Sequence, residues 1–149
     1  MASTTSRGAG IAVVRDRNTR VFNDREYDRL SEYQADDFVQ HGPFSDTEIR
    51  GNEESLALMQ EFHAGFSDLE ATEELSFTDG TYVCSRYQFE GTHDGEFKGI
   101  APTQSRVSVE GNIINRIDDG KIAESWASVD MLGLFEQLGA VPPVDEIAS

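Results

Sequence analysis

The chain has 149 residues, one cysteine and a formal net charge of −16, from 28 acidic and 12 basic residues. This charge repels nucleic-acid phosphate and anionic membranes, so we expect neither as a partner. A single cysteine excludes an internal disulfide, and no Cys/His spacing of the zinc-binding kind surrounds it. We predict no metal and no cofactor.

Length and composition also predict how the chain is organised and where it works. We expect a disordered segment at residues 1–10, one domain at 11–141 and a flexible tail at 142–149. No stretch approaches the roughly 20 apolar residues that span a bilayer, and the first residues lack a signal-peptide core, so we predict a cytoplasmic protein. Only Lys98 and Lys121 are lysines. We interpret the acidity as a solvated surface adapted to high salt, as in halophiles, with an acidic binding face as the alternative.

Apolar spacing in the first half predicts three helices. The first starts at Ile11 and runs to a break at Asn23-Asp24, and a short second helix carries Tyr27 and Leu30. Residues 36–41 form an extended exit that ends in a Gly-Pro turn. The third helix ends near Gly65, with Asn52 as its N-cap.

The second half predicts antiparallel strands. Residues 69–77 form the first, and Asp79-Gly80 marks a hairpin turn. The next strand alternates strictly, which directs Val83, Ser85, Tyr87, Phe89 and His93 towards the core. A Gly-rich crossing precedes a long hairpin over residues 106–131, and a short terminal helix at 132–138 ends before Gly139 and the Pro142-Pro143 pair.

The turn of the long hairpin, Asp118-Asp119-Gly120, allows two registers. A three-residue loop with a glycine bulge places Ile113 opposite Ser125, and puts both on one face with Ala127. A two-residue loop places Ile113 beside Trp126 instead.

These elements predict an α+β fold, in which a cone-shaped, curved antiparallel or mixed sheet wraps around three N-terminal helices and a short C-terminal helix follows. The open end of such a cone holds a pocket. We expect its lining to include Phe38, Phe62, Phe66, Tyr87, Phe89, Ile113, Ser125 and Ala127.

Six short segments resemble the SnoaL-like polyketide cyclases, a family of the nuclear-transport-factor-2-like and ketosteroid-isomerase-like superfamily. They occur in order, with family-like spacing, between residues 11 and 141: Asp37-Phe38-Val39-Gln40-His41, Phe66-Ser67-Asp68-Leu69, Gly91-Thr92-His93-Asp94-Gly95-Glu96-Phe97, Gly99-Ile100-Ala101-Pro102-Thr103, Arg116-Ile117-Asp118-Asp119-Gly120-Lys121-Ile122, and Leu132-Gly133-Leu134-Phe135-Glu136-Gln137-Leu138-Gly139. The resemblance implies intramolecular aldol cyclisation without metal or cofactor, in which a carboxylate removes the proton α to a carbonyl.

Transferring the family's catalytic residues exposes a difference. The family's acid/base Asp falls on Ala127, and its partner His falls on Ile113. An aliphatic side chain cannot transfer a proton, so the family mechanism cannot run unchanged here.

Three other side chains are the candidates for the catalytic group. His93 ends an inward strand face and either reaches the cavity or orders its loop, and His41 borders the pocket. Asp130 is the carboxylate nearest to Ala127, although it is also well placed to cap the terminal helix.

Two functions follow. The first is a cofactor-free cyclase or isomerase of ester-cyclase type, which acts on a small carbonyl compound in an apolar pocket. The alternative is a non-catalytic protein that binds a small apolar organic ligand. In either case we expect a homodimer, or a higher homo-oligomer, formed through the outer sheet face around Trp126.

Overall fold

The computed structural model describes residues 2–142 and 144–147. Met1, Pro143, Ala148 and Ser149 lie outside the described residues, so the predicted N-terminal segment, tail and Pro142-Pro143 stop are described only in part. The helices are α1 Ala2–Arg17, α2 Leu30–Tyr33, α3 Gly51–Gly65, α4 Met131–Gln137 and α5 Val144–Ile147, with a π-helical turn at Asn18–Asn23 and a 3-10 turn at Tyr27–Arg29. The strands are β1 Gln34–His41, β2 Ile49–Arg50, β3 Glu70–Thr78, β4 Tyr82–Thr92, β5 Arg106–Asp118 and β6 Lys121–Val129.

The strands form one curved, unclosed sheet in the order β2-β1-β6-β5-β4-β3. Neighbouring strands are antiparallel except β1 and β6, which are parallel. The sheet is therefore mixed, and helices cover its concave face. This is the predicted α+β fold.

The long hairpin combines a two-residue turn with a bulge. Asp119 and Gly120 both have positive φ, as a type I′ turn requires, and Asp118 pairs with Lys121. The register then shifts between Arg116 and Ile117. The bulge adds one residue to β6, which moves the side chains beyond it to the other face of the sheet. Ile113, Ser125 and Ala127 therefore share one face, as the three-residue loop predicted. Neither predicted register is right in detail, since Ile113 pairs with Ala127.

Two helix starts differ from the prediction. The first helix begins at Ala2 rather than Ile11, because helical hydrogen bonds extend into residues that bear no apolar stripe. The expected division of the chain into segment, domain and tail stays a prediction. Asn52 is not the N-cap of α3: that position is Arg50, whose backbone N–H donates to the Glu54 carboxylate at 3.0 Å.

The core fills the space between the helices and the concave face. Its largest fully buried side chains include Phe38, Phe66 and Phe97. On β4 the predicted alternation is seen, since Val83, Ser85 and Tyr87 are buried while the residues between them are partly exposed. No helix among the described residues is long and apolar enough to cross a membrane.

Candidate functional site

A cavity lies between the helices and the concave face of the sheet. Its volume is about 120 Å³. Most of the wall is apolar, and β4 supplies Tyr87 and Phe89 while α3 supplies Met59 and Phe62. A mostly apolar cavity with a few polar groups is the usual form of a small-molecule site.

A row of three polar side chains crosses the floor of this cavity. Gln40 on β1 pairs with Ser125 on β6, and Ser125 pairs with Asn115 on β5. All three line the cavity, and Ser125 and Asn115 are themselves buried. An amide, a hydroxyl and a second amide can each donate and accept hydrogen bonds. The row can therefore bind carbonyl or hydroxyl groups of a ligand.

Next to the polar row lies the pair that the family resemblance identified. Ile113 and Ala127 are direct partners across β5 and β6, two residues along the strands from Asn115 and Ser125. Ile113 lines the cavity, and Ala127 is 9% exposed on the same face. The two positions are thus neighbours, as an acid/base pair would need to be, but both carry aliphatic side chains.

Of the lining residues expected from the sequence, Ala127 alone does not contribute to the wall. Ile113 and Ser125 sit on its floor, and the aromatic part of the wall contains the rest: Phe38, Phe62, Phe66, Tyr87 and Phe89.

His41 lies on the opposite face of the sheet. Its pairing partner is Trp126, and the two rings stack at 5.4 Å between centroids. Its Nε2 is 2.7 Å from the Glu124 carboxylate. The hydrogen bonds from His41 and Arg116 lower the pKa of Glu124, although burial opposes them. His41 therefore belongs to a charged cluster outside the cavity.

His93 is fully buried but does not line the cavity. Its Nδ1 accepts the backbone N–H of Thr103 at 3.2 Å and lies 3.0 Å from the Thr103 hydroxyl. The ring also packs on Phe66, at 5.3 Å between centroids. These contacts hold the two ends of the crossing loop together, which matches the loop-ordering alternative.

Asp130 is exposed at the start of α4. Its carboxylate accepts the backbone N–H of Gly133 at 2.8 Å and serves as the N-cap. The three candidates, His41, His93 and Asp130, are therefore neither brought together nor placed on the cavity wall. A ligand in the cavity would meet other polar groups.

The most polar of these groups, Arg17, was missed by the sequence analysis. It lies on α1 and lines the cavity. Burial lowers the pKa of its guanidinium, because desolvation disfavours charge. A signal for it exists: Arg17 is three residues after Val14 and four before Val21, both buried, so it falls within the apolar stripe of the helix.

Tyr87 is the second titratable group that the described residues place on the wall. It is 4% exposed, and burial raises its pKa, while a hydrogen bond with Ser85 and then the charge of Arg17 lower it by less. Its hydroxyl is therefore protonated at neutral pH and can donate to a ligand oxygen. The part of the wall formed by described residues contains no Asp, Glu or His. No group of three or more His, Cys, Asp or Glu side chains in the described ranges is placed to hold a metal ion.

Known proteins match most of the chain. The family model for SnoaL-like polyketide cyclases matches residues 12–138. An aklanonic acid methyl ester cyclase of Streptomyces sp. (strain C5) is 32% identical over 118 residues, which cover 78% of this chain and 71% of that protein. The nogalonic acid methyl ester cyclase of Streptomyces nogalater is 30% identical, over 84% and 94% of the two chains.

A solved structure shows the same fold. The structure of a protein of Jannaschia sp. CCS1 superposes with a TM-score of 0.83 and covers 92% of this chain and 95% of that one. At 22% identity, this likeness concerns the fold alone. It agrees with the mixed, unclosed sheet described above.

Proposed function

This chain belongs to the SnoaL-like polyketide cyclase family, and from that premise we propose that its cavity binds a small, largely apolar carbonyl compound and promotes cofactor-free proton transfer at the carbon next to the carbonyl. The relatives named above are cyclases of acid methyl esters. The observation that carries the proposal is the buried Tyr87 side chain, which brings a hydroxyl group to an otherwise mostly apolar wall. The described wall carries no Asp, Glu or His, so a solvent water molecule or hydroxide ion accepts the proton from the carbon next to the carbonyl. A hydrogen bond from Tyr87 to the carbonyl oxygen stabilises the enolate that this transfer leaves.

The polar row of Gln40, Ser125 and Asn115 supports the same chemistry. A hydrogen bond to a second ligand oxygen would fix the orientation of the substrate, as intramolecular ring closure requires. The apolar wall formed by Phe62 and Phe89 would exclude bulk water and hold the hydrocarbon part of the substrate.

Exchange of hydrogen for deuterium at the methyl group of acetonaphthone, an apolar ketone, tests this proposal. In D₂O we expect the protein to accelerate exchange, as seen by loss of the methyl proton signal. Tyr87→Phe should reduce the rate by about tenfold or more, since one oxyanion donor is worth about 10²–10³ in established cases. Tyr82→Phe, at an exposed tyrosine, is the matched control. Exchange that is equal in the wild type and in Tyr87→Phe would refute the role of Tyr87.

The second candidate function is binding without catalysis. It is favoured by the aliphatic pair Ile113 and Ala127 at the family's acid/base positions and by the absence of a carboxylate or imidazole on the described wall. In this case acetonaphthone binds with a measurable Kd, but its methyl protons exchange no faster than in buffer. The same NMR sample therefore separates the two functions.

We further propose that the outer face of the sheet pairs two subunits. Phe77, Cys84, Ile114 and Trp126 are successive partners across β3, β4, β5 and β6, and they form an apolar row on that face. Phe77 is 59% exposed and Ile114 is 40% exposed. A second copy of the same row would bury this surface.

Light scattering tests the dimer. We expect about twice the subunit mass for the wild type, and the subunit mass for Ile114→Glu, because a buried unpaired charge is costly. Gln60→Glu, at an exposed position on α3 and therefore away from the outer face of the sheet, should stay dimeric. A wild-type protein that is monomeric in high salt would contradict the proposal.

The acidic composition supports a cytoplasmic protein of a cell with high internal salt. Repulsion within a chain of charge −16 is screened by salt. The midpoint of thermal unfolding should therefore rise between low and molar potassium chloride, and a flat or falling midpoint would count against this adaptation.

A further inference from the structure

Arg17 is a cation on the cavity wall that has no anionic partner among the described residues. Among the described residues its only hydrogen bond runs from Nε to the Gln34 side-chain oxygen, at 2.7 Å. The contrast with Arg15 on the same helix is direct, because the Arg15 guanidinium donates through Nε and Nη2 to the two Glu73 oxygens, at 3.0 and 2.7 Å. The chain contains 28 acidic residues, yet none that the structure describes forms an ion pair with Arg17.

Buried polar groups hold this cation in place. Gln34 is fully buried, and its side-chain nitrogen donates to Asn52 Oδ1 at 3.0 Å and to Ser55 Oγ at 3.2 Å. Because both of these contacts use the nitrogen, the amide oxygen must face Arg17. The Gln34 amide is thus locked in the orientation that receives Nε–H, while Nη1 and Nη2 stay without a partner among the described residues.

An arginine held in this way suits one kind of ligand group. The two Nη atoms form a planar fork that matches the two oxygens of a carboxylate. Arg17 is half-buried. A partly desolvated charge without a partner is costly, and a bound anion offsets that cost. A neutral ketone or ester supplies only a weaker acceptor.

We propose that Arg17 binds the carboxylate of an apolar organic acid, so that the cavity prefers free acids to their esters and to neutral ketones. This inference rests on the proposed function only in taking the same cavity as the binding site. The rest of the wall would hold the hydrocarbon part of the acid, as it would hold that of a ketone.

Three probes of similar size test the preference for free acids: naphthoate, methyl naphthoate and acetonaphthone. Kd values come from fluorescence or calorimetry on the full chain. We expect naphthoate to bind the wild type about tenfold or more tightly than methyl naphthoate, as a charge-assisted hydrogen bond allows. Equal affinity for acid and ester would overturn the inference, and this comparison needs no variant.

Substitutions then assign the preference to Arg17. Arg17→Met should raise the Kd of naphthoate by about tenfold and change the Kd of methyl naphthoate by no more than about twofold. Arg20→Met is the matched control, because Arg20 is exposed and pairs with Asp16 at 3.6 Å; it should change neither Kd. A uniform loss for acid and ester in Arg17→Met, or equal effects of the two substitutions, would refute the role of Arg17. Arg17→Lys, which keeps the charge without the fork, should retain part of the preference.

The probes also separate this inference from the proposed function. Binding of acetonaphthone and methyl naphthoate with no preference for the acid would leave the proposed function standing and the carboxylate site refuted. Binding of naphthoate without binding of acetonaphthone or methyl naphthoate would refute the proposed function and support the carboxylate site.

Discussion

Ile113 and Ile114 are adjacent on β5, yet they belong to different surfaces. Ile113 lines the cavity, and Ile114 is 40% exposed on the outer face. The side chains beside them differ in the same way: Asn115 joins the inner polar row, whereas Trp126, the partner of Ile114, stacks on His41 outside. The pleat of one strand thus supplies both a candidate ligand site and a candidate subunit interface. A substitution should therefore report on one face without disturbing the other.

The largest expected difference between the faces concerns phenylalanine. Phe66 is 2% exposed beneath the concave face, while Phe77 is 59% exposed on the outer face. Phe66→Ala should lower the free energy of unfolding by about 3–5 kcal/mol, through lost burial and a new cavity. In the separated subunit, at protein concentrations too low for pairing, Phe77→Ala should change it by about 0.5 kcal/mol or less. Urea unfolding measures both values.

A large cost for Phe77→Ala would alter this comparison in a specific way. If that cost grows with protein concentration, the outer face contributes to stability through subunit pairing. If it is large and independent of concentration, Phe77 is not a free surface residue and the contrast between the faces fails.

Histidine gives the second contrast. On the concave side, His63 is 8% exposed, its Nδ1 is 2.6 Å from the Tyr27 hydroxyl, and burial lowers its pKa to about 4. Between pH 6.5 and about pH 4, His63 takes up a proton in the unfolded chain but stays neutral in the folded chain. Stability should therefore fall as pH drops through this window, by at most about 1.4 kcal/mol per pH unit because a single proton is taken up.

Thermal unfolding at several pH values checks this prediction. His63→Gln removes the titrating group, so the decline attributable to it should disappear from the curve. His41→Gln, at the histidine of the outer face, is the control and should keep that decline. Identical pH curves for the wild type and His63→Gln would show that His63 does not couple folding to pH.

The sequence predicted the fold well because its strongest signals are local. Alternation along β4 depends only on which side chains fit a half-buried strand, and it identified Val83, Ser85 and Tyr87 as inward. The Asp119-Gly120 turn was likewise identified, since few residues tolerate positive φ. The bulge beside it was not, because nothing in the local residue types marks a shift that depends on pairing with β6.

The cavity was harder to predict than the fold. Its aromatic wall follows from strand parity and helix spacing, whereas its cation depends on a contact between α1 and Gln34 at the start of β1. Because the family's Asp falls on Ala127, the sequence favoured a titratable residue close to Ala127 as its replacement. Proximity in sequence did not place Asp130 on the wall, because the strand ends at Val129 and the chain turns into α4.

The smallest expected effect concerns Asp130. If its carboxylate only caps α4, Asp130→Asn should be nearly neutral, because asparagine caps as well as aspartate, and Asp130→Ala should cost about 1 kcal/mol of unfolding free energy. Catalysis predicts a different order: asparagine cannot accept a proton, so Asp130→Asn would abolish any deuterium exchange at the methyl group of acetonaphthone. Urea unfolding and the exchange assay on the same two variants decide between the roles. A stable Asp130→Asn variant without exchange would show that this carboxylate takes part in the reaction, even though it lies off the cavity wall.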